Sequence, residues 1–273
     1  MSAFRNILSK WLLVYAFAYV AFLYLPVIFL PIFSVNTAVT PQFPLSGLTL
    51  KWYEGLLETP ALTSAARNSL MVGVSASILS TVFGICAARA ITRYRFPGRS
   101  SIHGLLMAPL VLPEIILAVS MLLVMLQLDL SLSLVTVVFG HVLVCIPYSM
   151  NVLTSGFEGF DRSLEEASAD LGETAFGTFR RVTLPMVSPA IISSLLVSFT
   201  ISLDEFIMAF FLTGSDPTLP VYIWSQLRFA GKLPGVLALG TLLLLGSAIL
   251  MIIAEILRRR AARRAQLTGG LVA

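Results

Sequence analysis

Long apolar segments alternate with short polar ones along this chain. A helix that crosses the hydrocarbon core of a bilayer needs about 20 apolar residues. The segments that qualify lie at about residues 11–33, 66–90, 103–126, 132–155, 190–213 and 235–257. Lipid cannot satisfy backbone polar groups, and the runs are too long for the alternating strands of a membrane barrel. The pattern therefore predicts an all-α membrane protein with six transmembrane helices.

Composition supports a lipid-facing surface. Only 12% of the residues are charged and 57% are hydrophobic, and the mean hydropathy is +0.91. A soluble domain has about 25% charged residues. Charge this sparse cannot cover a surface that faces water on all sides.

The basic residues predict the orientation of the spans. All but Lys51, Arg67, Arg228 and Lys232 of the 18 Lys and Arg residues fall on one side of the predicted topology. Cytoplasmic loops carry the excess of Lys and Arg, so both termini are expected in the cytoplasm. The first apolar run, 11–33, is longer than the apolar core of a signal peptide (about 7–15 residues) and is expected to stay uncleaved.

The segment at about 156–189 differs from the other polar segments. Ser163 with Glu166 three residues later is typical of a capping box at a helix start. Gly172 suits a left-handed helix end, and a second short helix can begin near Thr174. We predict a helix-turn-helix on the cytoplasmic face, followed by re-entry into the membrane at Leu184-Pro185.

The spacing of this segment resembles the signature loop of bacterial ABC importer permeases, with Ser168 in place of Ala and Val182 in place of Ile. The resemblance implies a type I importer permease fold and a coupling helix that seats on a cytoplasmic ATPase. The residues implied in coupling are Glu166, Ala167, Ser168, Gly172, Leu184 and Pro185. No Gly-rich loop followed by Lys and Ser/Thr occurs in the chain. ATP and Mg are therefore expected on the partner ATPase, with no cofactor or metal and no catalytic residue in this chain.

The fifth predicted span carries two adjacent carboxylates, Asp204 and Glu205. Ionisable groups in a membrane are costly and point to a substrate pathway. They could contact a passing cation. Glu114 either lines the same pathway or accepts a hydrogen bond from a neighbouring helix, and Phe206 either makes a cation–π contact or only packs. The other interpretation is that one carboxylate pairs with a neighbouring helix and only fixes its packing.

Residues from about 25 to 254 resemble the spermidine/putrescine permease subfamily. The resemblance rests on Lys51-Trp52-Tyr53, Arg93 to Gly98, Pro109 to Glu114, Ser202 to Glu205 and Leu219-Pro220. It implies a polyamine cargo. Relatives in the same broad group carry γ-aminobutyrate, opines or aminophosphonates, and the motifs do not separate these amine-bearing cargoes.

The resemblance also implies partners and a division of the chain. The expected partners are a second, distinct permease, two cytoplasmic ATPase subunits, a periplasmic solute-binding protein and the inner-membrane bilayer, with no nucleic acid. The expected division is a first span and periplasmic segment (1–63), a transmembrane core (64–257) and a basic cytoplasmic tail (258–273).

Three other classes fit the sequence less well. A gradient-driven secondary transporter predicts inverted halves with matching broken helices, and no such match is visible. A channel or a structural membrane subunit has no need of the fixed loop spacing. A membrane enzyme needs a cluster of nucleophile and base or of metal ligands, and none stands out.

Overall fold

The computed structural model describes residues 2–249, and the side chains of residues 11–56 and 58–249. Its helices are α1 Ser2–Ser34, α2 Lys51–Leu57, α3 Pro60–Arg93, α4 Arg99–Val111, α5 Glu114–Gln127, α6 Leu134–Glu158, α7 Ser163–Asp170, α8 Ala175–Thr178, α9 Leu184–Met186, α10 Ser188–Asp204, α11 Ile207–Leu212, α12 Leu219–Gln226 and α13 Ala230–Ile249. A π-helical turn, Phe179–Thr183, joins α8 to α9, and α13 begins with a 3₁₀ turn. The described residues are helical and contain no strand beyond one isolated bridge between Asn36 and Leu48.

Four of the predicted spans are unbroken helices. These are the apolar part of α1 (Trp11–Ser34), α3, α6 and α13, each long and apolar enough to cross a bilayer. The predicted end of the last span, 250–257, and the basic tail, 258–273, lie outside the described residues. The orientation of the spans stays a prediction.

The third predicted span is wrong as a single helix. Residues 103–126 form α4 and α5, which meet at an angle of 108°. Leu112 between them is extended, with φ −79° and ψ 141°. Pro113 explains the break, because a proline disfavours helical geometry in the residue before it and has no N–H to donate.

The fifth predicted span, 190–213, is also interrupted. Helix α10 ends at Asp204, Glu205 is extended, and α11 begins at Ile207. Before α10, the helical run Ala175–Met186 meets it at 69°. The described chain therefore has four unbroken spans, or up to six if each bent pair crosses the membrane once.

The chain forms two compact units. One comprises residues 61–222, and the other comprises the residues on either side of it. All of the predicted coupling and pathway residues lie in the unit 61–222. The predicted boundaries at 63 and 257 stay predictions.

Helices α6 and α10 are joined by buried polar contacts at a regular spacing. The contacts are Ser149 Oγ to Ser194 Oγ (2.7 Å), Cys145 Sγ donating to the Ser198 carbonyl (3.5 Å), and His141 Nδ1 to Ser202 Oγ (2.7 Å). Positions fall by four along α6 as they rise by four along α10, which keeps the contacts on one face of each helix. We call these pairs the α6–α10 polar seam.

Small residues bring α3 against the same seam. The Thr81 hydroxyl lies 3.0 Å from that of Ser194. A Cβ built on Gly84 of α3 would collide with the Ser149 hydroxyl. Between α6 and α10 themselves, a Cβ built on Gly156 would collide with Ala190. Close backbone approach through small residues is the usual mode of helix association in membranes.

The other unit contains the predicted outer segment with its short helix, α2. Asn36 organises this segment, because its Oδ1 accepts hydrogen bonds from the backbone N–H groups of Ala38 (3.3 Å) and Ser46 (3.1 Å). The Trp52 indole donates to the Asn36 carbonyl at 2.8 Å. These bonds hold α2 and the preceding loop together.

Candidate functional site

The first helix of the predicted coupling loop, α7, begins differently from the prediction. Ser163 is its first helical residue and not its cap, so the expected Ser163–Glu166 capping box is wrong. Asp161 Oδ1 instead accepts a hydrogen bond from the Ser163 backbone N–H at 2.9 Å. This hydrogen bond lowers the pKa of the exposed Asp161 carboxyl from its ordinary value.

The turn between the two short helices follows the prediction. Gly172 has φ +86°, the left-handed conformation that glycine adopts at helix ends. The Thr174 hydroxyl then caps α8 by accepting from the Gly177 N–H at 3.1 Å. Ser168, which departs from the family pattern, lies 3.0 Å from the Thr178 hydroxyl and ties α7 to α8.

A hydrophobic cluster anchors the end of this loop to the spans. Its buried members are Ala88, Leu153, Phe157, Phe160 and Val187, with Phe179 and Val182 of the π-helical turn packed against them. The named members come from α3, from α6 and from the loop, including Val187 directly before α10. The loop is therefore fixed to the spans by its inner face.

A polar cluster lies beside these apolar residues. Arg93 Nε lies 2.8 Å from Glu165 Oε2, and the Thr183 hydroxyl donates to Glu165 Oε1 at 2.7 Å. Arg93 Nη2 also donates to the Phe160 carbonyl at 3.3 Å. We call Arg93, Glu165 and Thr183 the Arg93–Glu165–Thr183 cluster. It joins the end of α3 to both halves of the loop.

The opposite face of the loop is open. Leu171 is 90% exposed and Phe176 is 74% exposed. Among the predicted coupling residues, Glu166, Ala167, Gly172 and Pro185 are exposed, whereas Ser168 and Leu184 are half-buried. This face therefore carries two large apolar side chains, Leu171 and Phe176, that are open to contact.

A cavity of about 300 Å³ opens between this loop and the end of α3. Its lining contains three arginines and three glutamates. The lining residues are Arg89, Arg93, Tyr94, Arg162, Glu165, Glu166, Ala169, Glu173, Ala175 and Thr178. The Arg89 guanidinium lies 4.3 Å from the centre of the Phe179 ring. The cavity is continuous with the loop and belongs to the same site.

The predicted pathway residues meet at two helix breaks. Glu114 begins α5, and Glu205 lies between α10 and α11, where its Oε1 accepts from the Met208 N–H at 3.0 Å. The Glu205 carboxyl lies near that of Glu114. Ionisable groups inside membrane spans are costly and mark candidate functional sites.

The remaining two pathway residues lie at the same break. Asp204 is exposed, unlike Glu205, which is only 8% exposed. Phe206 is half-buried, and its ring centre lies 5.4 Å from that of Phe210. The structure thus brings Glu114 and Glu205 together and separates the environments of the adjacent carboxylates Asp204 and Glu205.

Sequence reasoning missed Arg93, Glu165 and Thr183. Glu165 stands next to the recognisable Glu166, and Thr183 lies between Val182 and Leu184 of the same motif. Nothing in their spacing connects them to Arg93, because that contact depends on tertiary packing. Within residues 2–249, no group of three or more His, Cys, Asp or Glu residues is placed to hold a metal ion.

Residues 80–263 match the family described as the binding-protein-dependent transport system inner membrane component. The chain belongs to this family. Its members are permease components, so ATP hydrolysis falls to a separate ATPase subunit and not to this chain. The helical fold described above is the fold of an ABC importer permease.

Among relatives of this permease, two come from polyamine systems of Escherichia coli (strain K12). The chain is 34% identical over 249 residues to the spermidine/putrescine transport system permease protein PotC, covering 90% of this chain and 91% of PotC. It is 35% identical over 264 residues to the putrescine transport system permease protein PotI, covering 94% of this chain and 93% of PotI.

Solved structures share the fold at low identity. A bacterial ABC transporter involved in alginate import has a chain with a TM-score of 0.73 and 17% identity, covering 93% of this permease and 96% of that chain. The methionine ABC transporter MetNI has a chain with a TM-score of 0.57 and 16% identity, covering 79% and 98%.

Proposed function

We propose that this permease forms half of the translocation pathway of an ATP-driven importer for polyamines such as putrescine and spermidine. The observation that carries the proposal is the similarity to PotC and PotI along at least nine-tenths of the chain. The similarity extends over both helix breaks and the whole helix-turn-helix.

The helix-turn-helix is the proposed contact with the ATPase. Glu166, Ala167, Gly172 and Pro185 are exposed there, and the exposed Leu171 and Phe176 supply apolar area for a groove on the partner. Burying a large apolar side chain stabilises an interface by about 1.5–3 kcal/mol. Ser168 and Leu184 are half-buried, and in this proposal they hold the exposed residues in position.

Glu114 and Glu205 form the proposed contact with the cargo. A pair of carboxylates suits a cation that carries two or more ammonium groups better than it suits a zwitterion such as γ-aminobutyrate, which brings its own carboxylate. Asp204 is exposed on the same break and would meet the cargo on its way. Phe206 offers an aromatic face to an ammonium group.

The proposed assembly has the partners expected from the sequence. A second, distinct permease completes the pathway, two cytoplasmic ATPase subunits bind ATP and Mg, and a periplasmic binding protein delivers the cargo. Both termini of this chain lie in the cytoplasm in this arrangement. The excess of Lys and Arg on that side supports the orientation.

Uptake by proteoliposomes tests the proposal. The permease is reconstituted with the second permease and the ATPase, and the binding protein is added outside. Radiolabelled putrescine and spermidine are expected to enter only when ATP is enclosed. Uptake of γ-aminobutyrate without either polyamine would overturn the cargo assignment. Polyamine uptake with the ATPase omitted would overturn the ATP-driven class in favour of a gradient-driven carrier.

A further inference from the structure

The Arg93–Glu165–Thr183 cluster joins three segments that are far apart in the sequence. Arg93 is the last residue of α3, Glu165 lies in α7, and Thr183 ends the π-helical turn. The three members therefore come from three elements of the proposed coupling mechanism: the span α3, the loop helix α7, and the turn that leads to α10.

Both oxygens of the Glu165 carboxylate are engaged. Oε2 lies 2.8 Å from Arg93 Nε, and Oε1 accepts from the Thr183 hydroxyl at 2.7 Å. The Arg93 contact is an ion pair and not a linear hydrogen bond, because its Nε has no partner at a hydrogen-bonding angle. Nη2 of the same guanidinium reaches the Phe160 carbonyl, and the group lies 5.6 Å from the Phe160 ring centre.

Burial separates this ion pair from the others in the loop. The side chains of Arg93 and Glu165 are 12% and 16% exposed. Those of Arg162 and Glu166, which also pair, are 67% and 65% exposed. An exposed pair contributes little, whereas removing one partner of a buried pair leaves an uncompensated charge.

The placement of the buried pair makes it a mechanical link. It is a direct polar contact between α7 and the end of α3, at 2.8 Å. The Thr183 bond adds the connection to α10, on which the intramembrane carboxylate break depends.

We propose that Arg93, Glu165 and Thr183 are positioning residues that couple movement of the helix-turn-helix to α3 and α10, so that ATP hydrolysis drives transport. This inference rests on the proposed function of the loop as the ATPase contact. The three residues touch neither cargo nor nucleotide in this arrangement. They act through the rigidity of the loop.

The test is the ratio of putrescine moved to ATP hydrolysed in the reconstituted full complex. Arg93→Gln and Glu165→Gln are each expected to lower this ratio at least fivefold, while basal ATP hydrolysis and the amount of assembled complex stay within twofold of the unaltered transporter. Thr183→Val, which keeps the shape of the side chain, is expected to lower the ratio by a smaller factor.

Two further variants separate coupling from simple stability. The double variant Arg93→Gln/Glu165→Gln is expected to be no worse than either single variant, because both remove the same contact. Arg95→Gln removes an exposed arginine two residues further on and is expected to leave the ratio unchanged. A merely structural role would reduce assembly and leave the ratio of the assembled complex intact.

The outcomes distinguish this inference from the proposed function. If the unaltered complex hydrolyses ATP without moving putrescine, the proposed function fails. If the unaltered complex couples the two but Arg93→Gln and Glu165→Gln couple them equally well, only the present inference fails. Strictly additive losses in the double variant would also overturn it.

Discussion

The Ser149 hydroxyl lies 2.7 Å from the Ser194 hydroxyl, at the point where Gly84 of α3 crosses the α6–α10 polar seam. Three helices therefore meet at one pair of hydroxyl groups. Hydrogen bonds between membrane helices are individually modest, so the tight approach of the backbones matters as much as the bonds themselves.

Gly84→Val is expected to destabilise the permease by about 1–3 kcal/mol, the usual cost of overpacking. The added Cβ would collide with Ser149 and push α3 away from the seam. Thermal unfolding of the detergent-solubilised complex measures the loss. Gly104→Ala is the control, because a Cβ there meets nothing within 4 Å. Equal melting temperatures for the two variants would contradict the packing described here.

Gly172 is expected to accept asparagine but not valine. A Cβ at this position meets nothing within 4 Å, yet φ is +86°, so the constraint inside this chain is conformational. The left-handed region costs most L-residues about 1–2 kcal/mol, and asparagine tolerates it best. Coupled uptake should survive Gly172→Asn and fall in Gly172→Val. Equal loss in both variants would instead indicate that a side chain of any kind clashes with the ATPase.

Phe176→Asp and Leu171→Asp are expected to weaken binding of the ATPase at least tenfold. Each replaces an exposed apolar side chain on the helix-turn-helix with a charge, and a loss of about 1.4 kcal/mol corresponds to tenfold in Kd. Titration of labelled ATPase against permease in nanodiscs gives the Kd. Leu128→Asp alters a leucine that is 63% exposed outside this loop and should leave the Kd unchanged. An equal loss of affinity in Leu128→Asp would show that the effect is not specific to the helix-turn-helix, and would contradict its assignment to the interface.

Glu205→Gln is expected to reduce putrescine uptake at least tenfold while stability changes by less than about 0.5 kcal/mol. Glutamine keeps an oxygen that accepts from the Met208 N–H and removes the ionisable carboxyl group. Glu205→Ala removes the cap as well, and loss of a cap costs about 0.5–2 kcal/mol. Uptake kinetics and thermal unfolding are compared across both variants. Unaltered uptake in Glu205→Gln would assign Glu205 to packing alone.

Asp161 is expected to slow hydrogen exchange at the start of α7 over a wide pH range. Because the hydrogen bond from Ser163 lowers the folded-state pKa of Asp161, its contribution is present above the unfolded-state value of about 3.9 and is lost as pH falls through the lower folded value. Hydrogen exchange of the Ser163 amide should therefore be faster in Asp161→Ala near pH 7. Identical exchange in the variant and the unaltered chain would contradict this role.

Much of the fold follows from hydropathy, and its breaks do not. The length of the apolar runs is enough to locate α1, α3, α6 and α13. A hydropathy average does not detect the helix breaks at Pro113 and Glu205, because the residues on both sides of each break are apolar. Pro113 did carry a local signal, since proline restricts the residue before it. Glu205 carried no local signal for a break, because its hydrogen bond from the Met208 N–H is visible only in the folded structure.

The candidate site divides in the same way. Local rules are sufficient for the turn at Gly172 and the cap at Thr174. They fail at Ser163, where the acceptor comes from Asp161, one residue before the cap position. The pairing of Glu114 with Glu205 and of Arg93 with Glu165 depends on how helices distant in sequence lie against each other, which a single sequence does not encode in any local pattern.

The seam between α6 and α10 restricts the kind of motion that the permease can make. Sliding one helix along the other would have to break every bond of the seam at once, and the next matching register lies four residues, or about 6 Å, away. Tilting the two helices as one body leaves all the bonds intact. A movement applied where α10 joins the helix-turn-helix would then reach the Glu205 break as a rotation of both helices, without sliding of one along the other.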